Sequence, residues 1–154
     1  MGSKWELWEI GESIENLVMY GIFKQSWITN FTFIYNINNE LLYKVAESNF
    51  FLCMPAYFVD VLKKEKIKSK LSFLNGIYFY YNNIKYHYVG SEVRLCKKQW
   101  LHYGSRLFAN EEKVIEAEIK VDYSELEVLF KDANIQHVKL MFIALILIGS
   151  SNDA

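Results

Sequence analysis

The sequence is poor in the residues that mark linkers and disulfide frameworks. One proline and seven glycines occur among 154 residues, so neither an interior linker nor a low-complexity segment is expected, and we predict one domain over residues 1–154. The two cysteines, Cys53 and Cys96, are far apart and lack CxxC spacing, which favours reduced thiols. The formal net charge of −1 gives no global attraction to nucleic acid, and none is expected as a partner.

Catalytic motifs are missing as well. The three histidines, His87, His102 and His137, have no metal-ligand spacing, and no P-loop, GxSxG or GxGxxG pattern occurs. We therefore predict that the protein is not an enzyme and that it has no catalytic residues, metal site or cofactor. The first ten residues lack the basic, apolar leader of a secreted protein, so a cytoplasmic location is expected.

Aromatic residues, by contrast, are abundant. They make up 17% of the chain, and they favour strands over helices. In "FTFIYNINNELLYKV" two alternating runs flank a polar loop at residues 36–40, which predicts a hairpin. Pairing Tyr35 with Leu41 places Phe33 opposite Tyr43, and we expect these aromatic residues on one apolar face.

A second hairpin and several single strands follow the same period of two. Asn82 and Asn83 in "GIYFYYNNIKYHYVG" suit the positive φ of a two-residue turn, which sets Tyr81 opposite Ile84. Residues 4–27 mix strand-like and helix-like spacing, so both alternatives stay open there. The same alternation predicts further strands at residues 57–62, 66–73, 114–121 and 125–130.

The end of the chain, "VKLMFIALILIGSSNDA", has no polar side chain from Leu140 to Ile148. A helix of that length spans about 14 Å against about 30 Å for a bilayer core, so no transmembrane segment is expected. A strand there would need burial on both faces, which antiparallel sheets rarely offer. We predict instead a helix over about residues 134–149, capped by Asp132 or Asn134 and ended by Gly149.

A helix that is apolar on all sides must be enclosed on all sides. Strands with one apolar face can enclose it by closing into a barrel, which also removes exposed sheet edges. The predicted fold is therefore mainly β with one helix: a closed or nearly closed antiparallel β-barrel that encloses the hydrophobic C-terminal helix.

Two stretches resemble a known family. The hairpin "FTFIYNINNELLYKV" and the segment "LFKDANIQHVKLMFIALILIG" are similar to a recurrent hairpin, and to the last strand and central helix, of the tubby C-terminal-like superfamily, which includes phospholipid scramblases and LURP-one-related proteins. The resemblance covers roughly residues 27–149 and implies a barrel around a helix. It also implies a lipid partner, because tubby domains bind phosphoinositides through basic residues. The scramblase calcium-binding segment has no match here, so that activity is not implied. The bias towards Asn, Ile, Lys and Tyr indicates an AT-rich bacterial source.

A run of lysines is the candidate binding site. On the predicted strand 66–73, alternation places Lys66, Lys68 and Lys70 on one face at intervals of about 6.8 Å. Such a basic ridge suits anionic lipid head groups, so we expect a non-catalytic binding module that associates peripherally with a membrane surface. The alternatives are an edge-protecting lysine row and a protein-interaction or regulatory domain that presents Tyr78, Tyr80 and Trp100. The candidate residues are Lys63, Lys64, Lys66, Lys68 and Lys70.

Overall fold

The computed structural model describes residues 4–10, 15–25, 30–46, 56–72, 76–90, 94–96, 100–121, 126–130 and 134–149. Their contacts cluster in two compact units. The first is Met1–Ser69 with Leu145–Ala154, and the second is Lys70–Ala144. The elements are β1 Lys4–Ile10, β2 Glu15–Lys24, β3 Phe31–Asn36, β4 Leu41–Ala46, β5 Tyr57–Asp60, β6 Glu65–Lys68, β7 Lys70–Ser72, β8 Gly76–Tyr81, β9 Ile84–Gly90, β10 Arg94–Cys96, β11 Trp100–Ala109, β12 Glu112–Val121, β13 Leu126–Phe130 and α1 Ile135–Gly149.

The first unit contains a six-stranded antiparallel sheet in which β1 to β6 follow one another in chain order. One face of this sheet is buried and apolar, because alternate residues of each strand point to the same side. Within residues 4–27, where strand and helix were both open, Lys4–Ile10 forms β1 and Glu15–Lys24 forms β2. The buried face consists of Met19, Thr32, Ile34, Val45, Phe58 and Ile67.

The second unit contains a seven-stranded sheet with the order β13-β12-β11-β9-β8-β7. The short strand β10 pairs with the start of β11, whereas β9 pairs with the end of β11. Both therefore lie along the same edge of β11, whose other edge pairs with β12. The buried face includes Ile77, Phe79, Tyr81, Tyr86, Tyr88, Ser105, Leu107, Ile115 and Ala117.

The mainly β prediction with one C-terminal helix is confirmed, but the predicted barrel closure is wrong. In the described part of the chain, neither sheet closes on itself. The predicted strand 66–73 is interrupted at Ser69, whose backbone N–H and Oγ both donate to the carbonyl of Ala56, at 3.0 and 2.8 Å. Because Ser69 bonds back to the residue before β5, β6 stays paired with β5, and β7 begins a new pairing with β8.

The C-terminal helix agrees with the sequence. Asn134 caps it, since its Oδ1 accepts the backbone N–H of Gln136 at 2.9 Å, and α1 ends at Gly149. Val138 and every residue from Leu140 to Leu147 are at most 7% exposed, which matches a helix buried on all sides. No described helix is long and apolar enough to cross a membrane. Asp132, the alternative cap, lies outside the described residues.

The two predicted hairpins have different outcomes. The Asn82-Asn83 turn is confirmed, with φ of 53° and 62° at the two residues and Tyr81 opposite Ile84. In β3–β4, Tyr35 does lie opposite Leu41, but a bulge between Ile34 and Tyr35 places Phe33 opposite Lys44 rather than Tyr43. Because the bulge shifts the register by one residue, Tyr43 and Val45 share a face with Ile34 and Thr32 instead of with Phe33 and Phe31.

That exchange removes Phe31 and Phe33 from the core. The fully buried residues of β3 are Thr32 and Ile34, while Phe31 and Phe33 are half-buried on the opposite face. In β12, Ile115 and Ala117 are buried and Glu116 is exposed, as the alternation predicts. Cys53 lies outside the described residues, and for Cys96 only the backbone is described.

Candidate functional site

The five predicted lysines occupy three kinds of position. Lys63 and Lys64 lie in the loop between β5 and β6, and Lys66 and Lys68 lie on β6. Lys70 begins β7, which belongs to the second unit. All five side chains are exposed. The first four belong to one hairpin, but the break at Ser69 means that Lys70 does not continue the same strand.

The loop of this hairpin is shaped by Asp60. Its carboxylate is buried and its Oδ1 accepts the backbone N–H of Lys63 at 3.2 Å, which closes the turn. Lys64 completes the reversal with a left-handed φ of 54°. At the tip, Leu62 is 73% exposed, directly before Lys63 and Lys64. An unburied aliphatic side chain therefore protrudes beside two ammonium groups.

The strand register extends this basic character across the sheet. Lys66 lies opposite Val59, and Val59 lies opposite Lys44, so the three side chains share one face. A second cross-strand row runs from Lys24 through Phe31, Ala46 and Tyr57 to Lys68. We call this surface the first-unit outer face. It comprises Ile22, Lys24, Phe31, Phe33, Lys44, Tyr57, Val59, Lys66 and Lys68.

Lysine ammonium groups lie over the aromatic rings of the first-unit outer face. Lys66 Nζ is 4.1 Å from the centroid of Tyr57, and Lys44 Nζ is 4.3 Å from that of Phe31. Phe33 lies below two lysines, with Lys24 Nζ at 5.3 Å and Lys44 Nζ at 5.9 Å from its centroid. Each such cation–π contact contributes about 0.5–1 kcal/mol at an exposed site and keeps the positive charge close to an apolar surface.

No negative charge offsets these lysines on the described outer-face side chains of β2 to β6. Asp60 and Glu65 lie opposite each other on the other side of the sheet. Glu40 lies in the loop between β3 and β4. On the neighbouring strand β1, Glu6 accepts a hydrogen bond from Trp8 Nε1 at 3.0 Å. The described side chains of this face therefore carry a net positive charge from β2 to β6.

Sequence reasoning missed Lys24 and Lys44 because each stands alone in the chain. The signal that could have found these two lysines is the alternation of Thr32 and Ile34. Thr32 and Ile34 are β-branched and suit a buried strand face, and assigning them to the core would have placed Phe31 on the outer face. The alternation of Phe31 and Phe33 was the stronger pattern in the sequence. The bulge in the β3–β4 pair is what places Thr32 and Ile34, rather than Phe31 and Phe33, on the buried face.

His87 and His137 are the two histidines whose side chains the structure describes. Burial, with a smaller effect of nearby Lys85, lowers the pKa of His87. The ring of His137 packs edge-on against Tyr86, with centroids 6.2 Å apart. For His102 and Trp100 only the backbone is described. Among the described residues, no group of three His, Cys, Asp or Glu side chains could hold a metal ion.

Comparison of the chain with protein-family models, curated proteins and solved structures finds no match. The functional argument therefore depends on the geometry of the two sheets. The resemblance to the tubby C-terminal-like superfamily stays a prediction.

Proposed function

We propose that the protein is a non-catalytic binding module that associates with anionic lipid head groups at a membrane surface through its β5–β6 hairpin. The observation that carries this proposal is the hairpin tip, where Leu62 is 73% exposed beside Lys63 and Lys64. Lys66 and Lys68 continue the positive charge along β6. Lys70 belongs to the other unit and is not required.

The physical argument joins an apolar and an electrostatic contribution. Inserting Leu62 below the head groups would contribute about 1.5–3 kcal/mol, while each lysine near an anionic surface contributes about 1 kcal/mol. Four lysines and one leucine together give about 6 kcal/mol, which corresponds to a dissociation constant in the tens of micromolar. Binding of this strength is reversible and falls with salt.

The first-unit outer face supports the same orientation. Lys24 and Lys44 extend the positive charge away from the hairpin, and the rings of Phe31 and Phe33 lie directly below their ammonium groups. Aromatic and cationic side chains of this kind are favourable at the level of lipid head groups. The hairpin tip would insert first, and the adjoining face would add charge attraction.

Vesicle co-sedimentation tests the proposal with the full chain. We expect binding to phosphatidylcholine vesicles that contain about 30% phosphatidylserine, no binding to phosphatidylcholine alone, and release as salt rises. Leu62→Ser should weaken binding at least about tenfold, because the contribution of the inserted side chain, about 1.5–3 kcal/mol, is lost. The double change of Lys66 and Lys68 to Glu should reduce binding to background.

Ile37→Ser is the matched control. Ile37 is 62% exposed in the loop between β3 and β4, where asparagines rather than lysines surround it. We expect Ile37→Ser to bind like the unchanged protein. The proposal is wrong if anionic vesicles are not bound at low salt, or if Leu62→Ser and Ile37→Ser have the same effect.

A further inference from the structure

The outer face of the second unit carries a row of rings across three strands. Tyr78 on β8 lies opposite His87 on β9, and His87 lies opposite Phe108 on β11. The centroids of His87 and Phe108 are 6.2 Å apart. Tyr80 stands beside this row, 6.4 Å from Tyr78 between centroids and 59% exposed. We call Tyr78, His87 and Phe108 the ring row.

Positive side chains surround the ring row. Lys70 lies opposite Tyr78 at one end of the row, and Lys113 lies opposite Phe108 at the other. The remaining two cations are Lys85, whose Nζ is 5.1 Å from the centroid of Tyr78, and Arg106, two residues before Phe108 on the same face. Positive charge is thus present at both ends and along both sides of the row.

One described carboxylate on these strands faces the same way. Glu116 lies opposite Arg106 and forms a salt bridge with Lys113 at 2.7 Å. The hydrogen bond and the charge of Lys113, with a smaller effect of Arg106, lower the pKa of Glu116. Glu116 therefore offsets Lys113, while Lys70, Lys85 and Arg106 leave the described side chains around the ring row with a net positive charge.

We propose that the outer face of the second unit binds single-stranded nucleic acid, with bases stacked on Tyr80 and the ring row and phosphates held by Lys70, Lys85 and Arg106. Aromatic platforms with flanking cations bind single strands because every base has a π-face and every nucleotide a phosphate. Neighbouring strands lie about 4.8 Å apart, so the row spans about 10 Å, enough for two or three nucleotides.

Other polyanions fit this surface less well. A lipid surface would favour exposed aliphatic side chains such as Leu62, but among the described residues of β8, β9, β11 and β12 the large hydrophobic side chain that is mainly exposed is Tyr80. Duplex DNA offers phosphates but keeps its bases stacked inside, away from the rings. The sequence-level expectation of no nucleic acid came from the total charge, and local segregation of charge outweighs a total near zero.

Fluorescence anisotropy with labelled oligonucleotides tests this inference on the full chain. The probes are twelve-nucleotide thymidine DNA, twelve-nucleotide uridine RNA, and a duplex of equal length. We expect either single strand to bind more tightly than the duplex, and the DNA and RNA arms then identify the preferred backbone. Tyr80→Ala should weaken single-strand binding about 5- to 150-fold, the effect of losing one stacked base, whereas Tyr80→Phe should bind as the unchanged protein does.

The salt dependence provides an independent measurement. Changing Lys70 and Arg106 to Gln should lower the slope of log affinity against log salt by about 1.4, since each phosphate contact to a single strand contributes about 0.7. Both side chains are exposed, so folding should be unaffected. Ile37→Ser again serves as the control, and it should change neither the affinity nor the slope.

Four results would overturn the inference. They are no binding of single strands at low salt, equal binding of duplex and single strands, an unchanged affinity in Tyr80→Ala, and a Tyr80→Ala variant that loses vesicle or protein binding but no nucleic acid. The first three results leave the lipid proposal unaffected, because its variants at Leu62, Lys66 and Lys68 lie in the first unit. Loss of vesicle binding in Tyr80→Ala would contradict both proposals, since Tyr80 lies in the second unit.

Discussion

The close approach of β2 and β3 at Gly21 allows a quantitative test of core packing. A Cβ added to Gly21 would lie 2.8 Å from Cγ2 of Thr32, whereas its distances to Trp5 Cβ and Ile34 Cγ1, 3.5 and 3.7 Å, are ordinary contacts. Thr32 is fully buried and β-branched, so its side chain cannot easily rotate away. Gly21 is therefore required because of one methyl group on the neighbouring strand.

The magnitudes follow from that single contact. Gly21→Ala should destabilise the fold by about 1–3 kcal/mol through overpacking, offset by about 0.5–1 kcal/mol because alanine loses less backbone entropy. Thr32→Ser removes the clashing methyl group and should cost about 1 kcal/mol. In the double variant the methyl group moves from residue 32 to residue 21, so the loss should be smaller than the sum of the two single losses by about 1–2 kcal/mol.

Urea unfolding of the four proteins, followed by tryptophan fluorescence and circular dichroism, measures this coupling. The slope of free energy against urea should stay constant, since the exposed surface hardly changes. Additive losses, within about 0.5 kcal/mol, would refute the reasoning, because they would show that Gly21 and Thr32 do not compete for the same space.

Two further predictions concern a histidine and the helix. The pKa of His87 is lowered from 6.5 by burial and then by Lys85; the unfolded chain therefore binds the proton first, so stability should fall as pH drops below about 6.5. An NMR titration should show the pKa of His87 rising in Lys85→Gln, and no rise would contradict the charge effect. Ile143 is fully buried in α1, so Ile143→Ala should cost about 2–5 kcal/mol in urea unfolding. Lys139→Ala is the half-exposed control, and equal losses in both variants would show that burial does not set the cost.

Local signals in the sequence predicted their elements correctly. The Asn82-Asn83 turn depends on two adjacent residues that tolerate positive φ, and the helix depends on a cap at Asn134 and on a continuous apolar run. In each case the deciding interactions lie within a few residues of one another, so the pattern contains the information.

The predictions that failed depend on how residues of different strands pair with one another. The β3–β4 register shifts by one residue at a bulge between the pairs Tyr35–Leu41 and Ile34–Tyr43. Alternation along each strand fits the pairing with the bulge as well as the pairing without it. The predicted strand 66–73 is interrupted at Ser69, whose hydrogen bonds to Ala56 span thirteen residues and are not visible as a pattern. Exposure of the predicted lysines followed from alternation, but their grouping with Lys44 required the order of the strands.

Patterns along single elements of the sequence were enough to predict a mainly β chain with an apolar C-terminal helix, because period, capping and polarity are properties of one element. The same patterns predicted the exposed positions of Lys63, Lys64, Lys66, Lys68 and Lys70. Strand pairing in the folded chain sets which face of each strand is buried, and it leaves both sheets unclosed in the part of the chain that the structure describes. It also brings rings and cations from separate strands together on the two outer faces. A sheet face is assembled from several strands, so its composition depends on the register between them. A slip of one residue moves every side chain of a strand to the opposite face, and no pattern within a single strand reveals that slip.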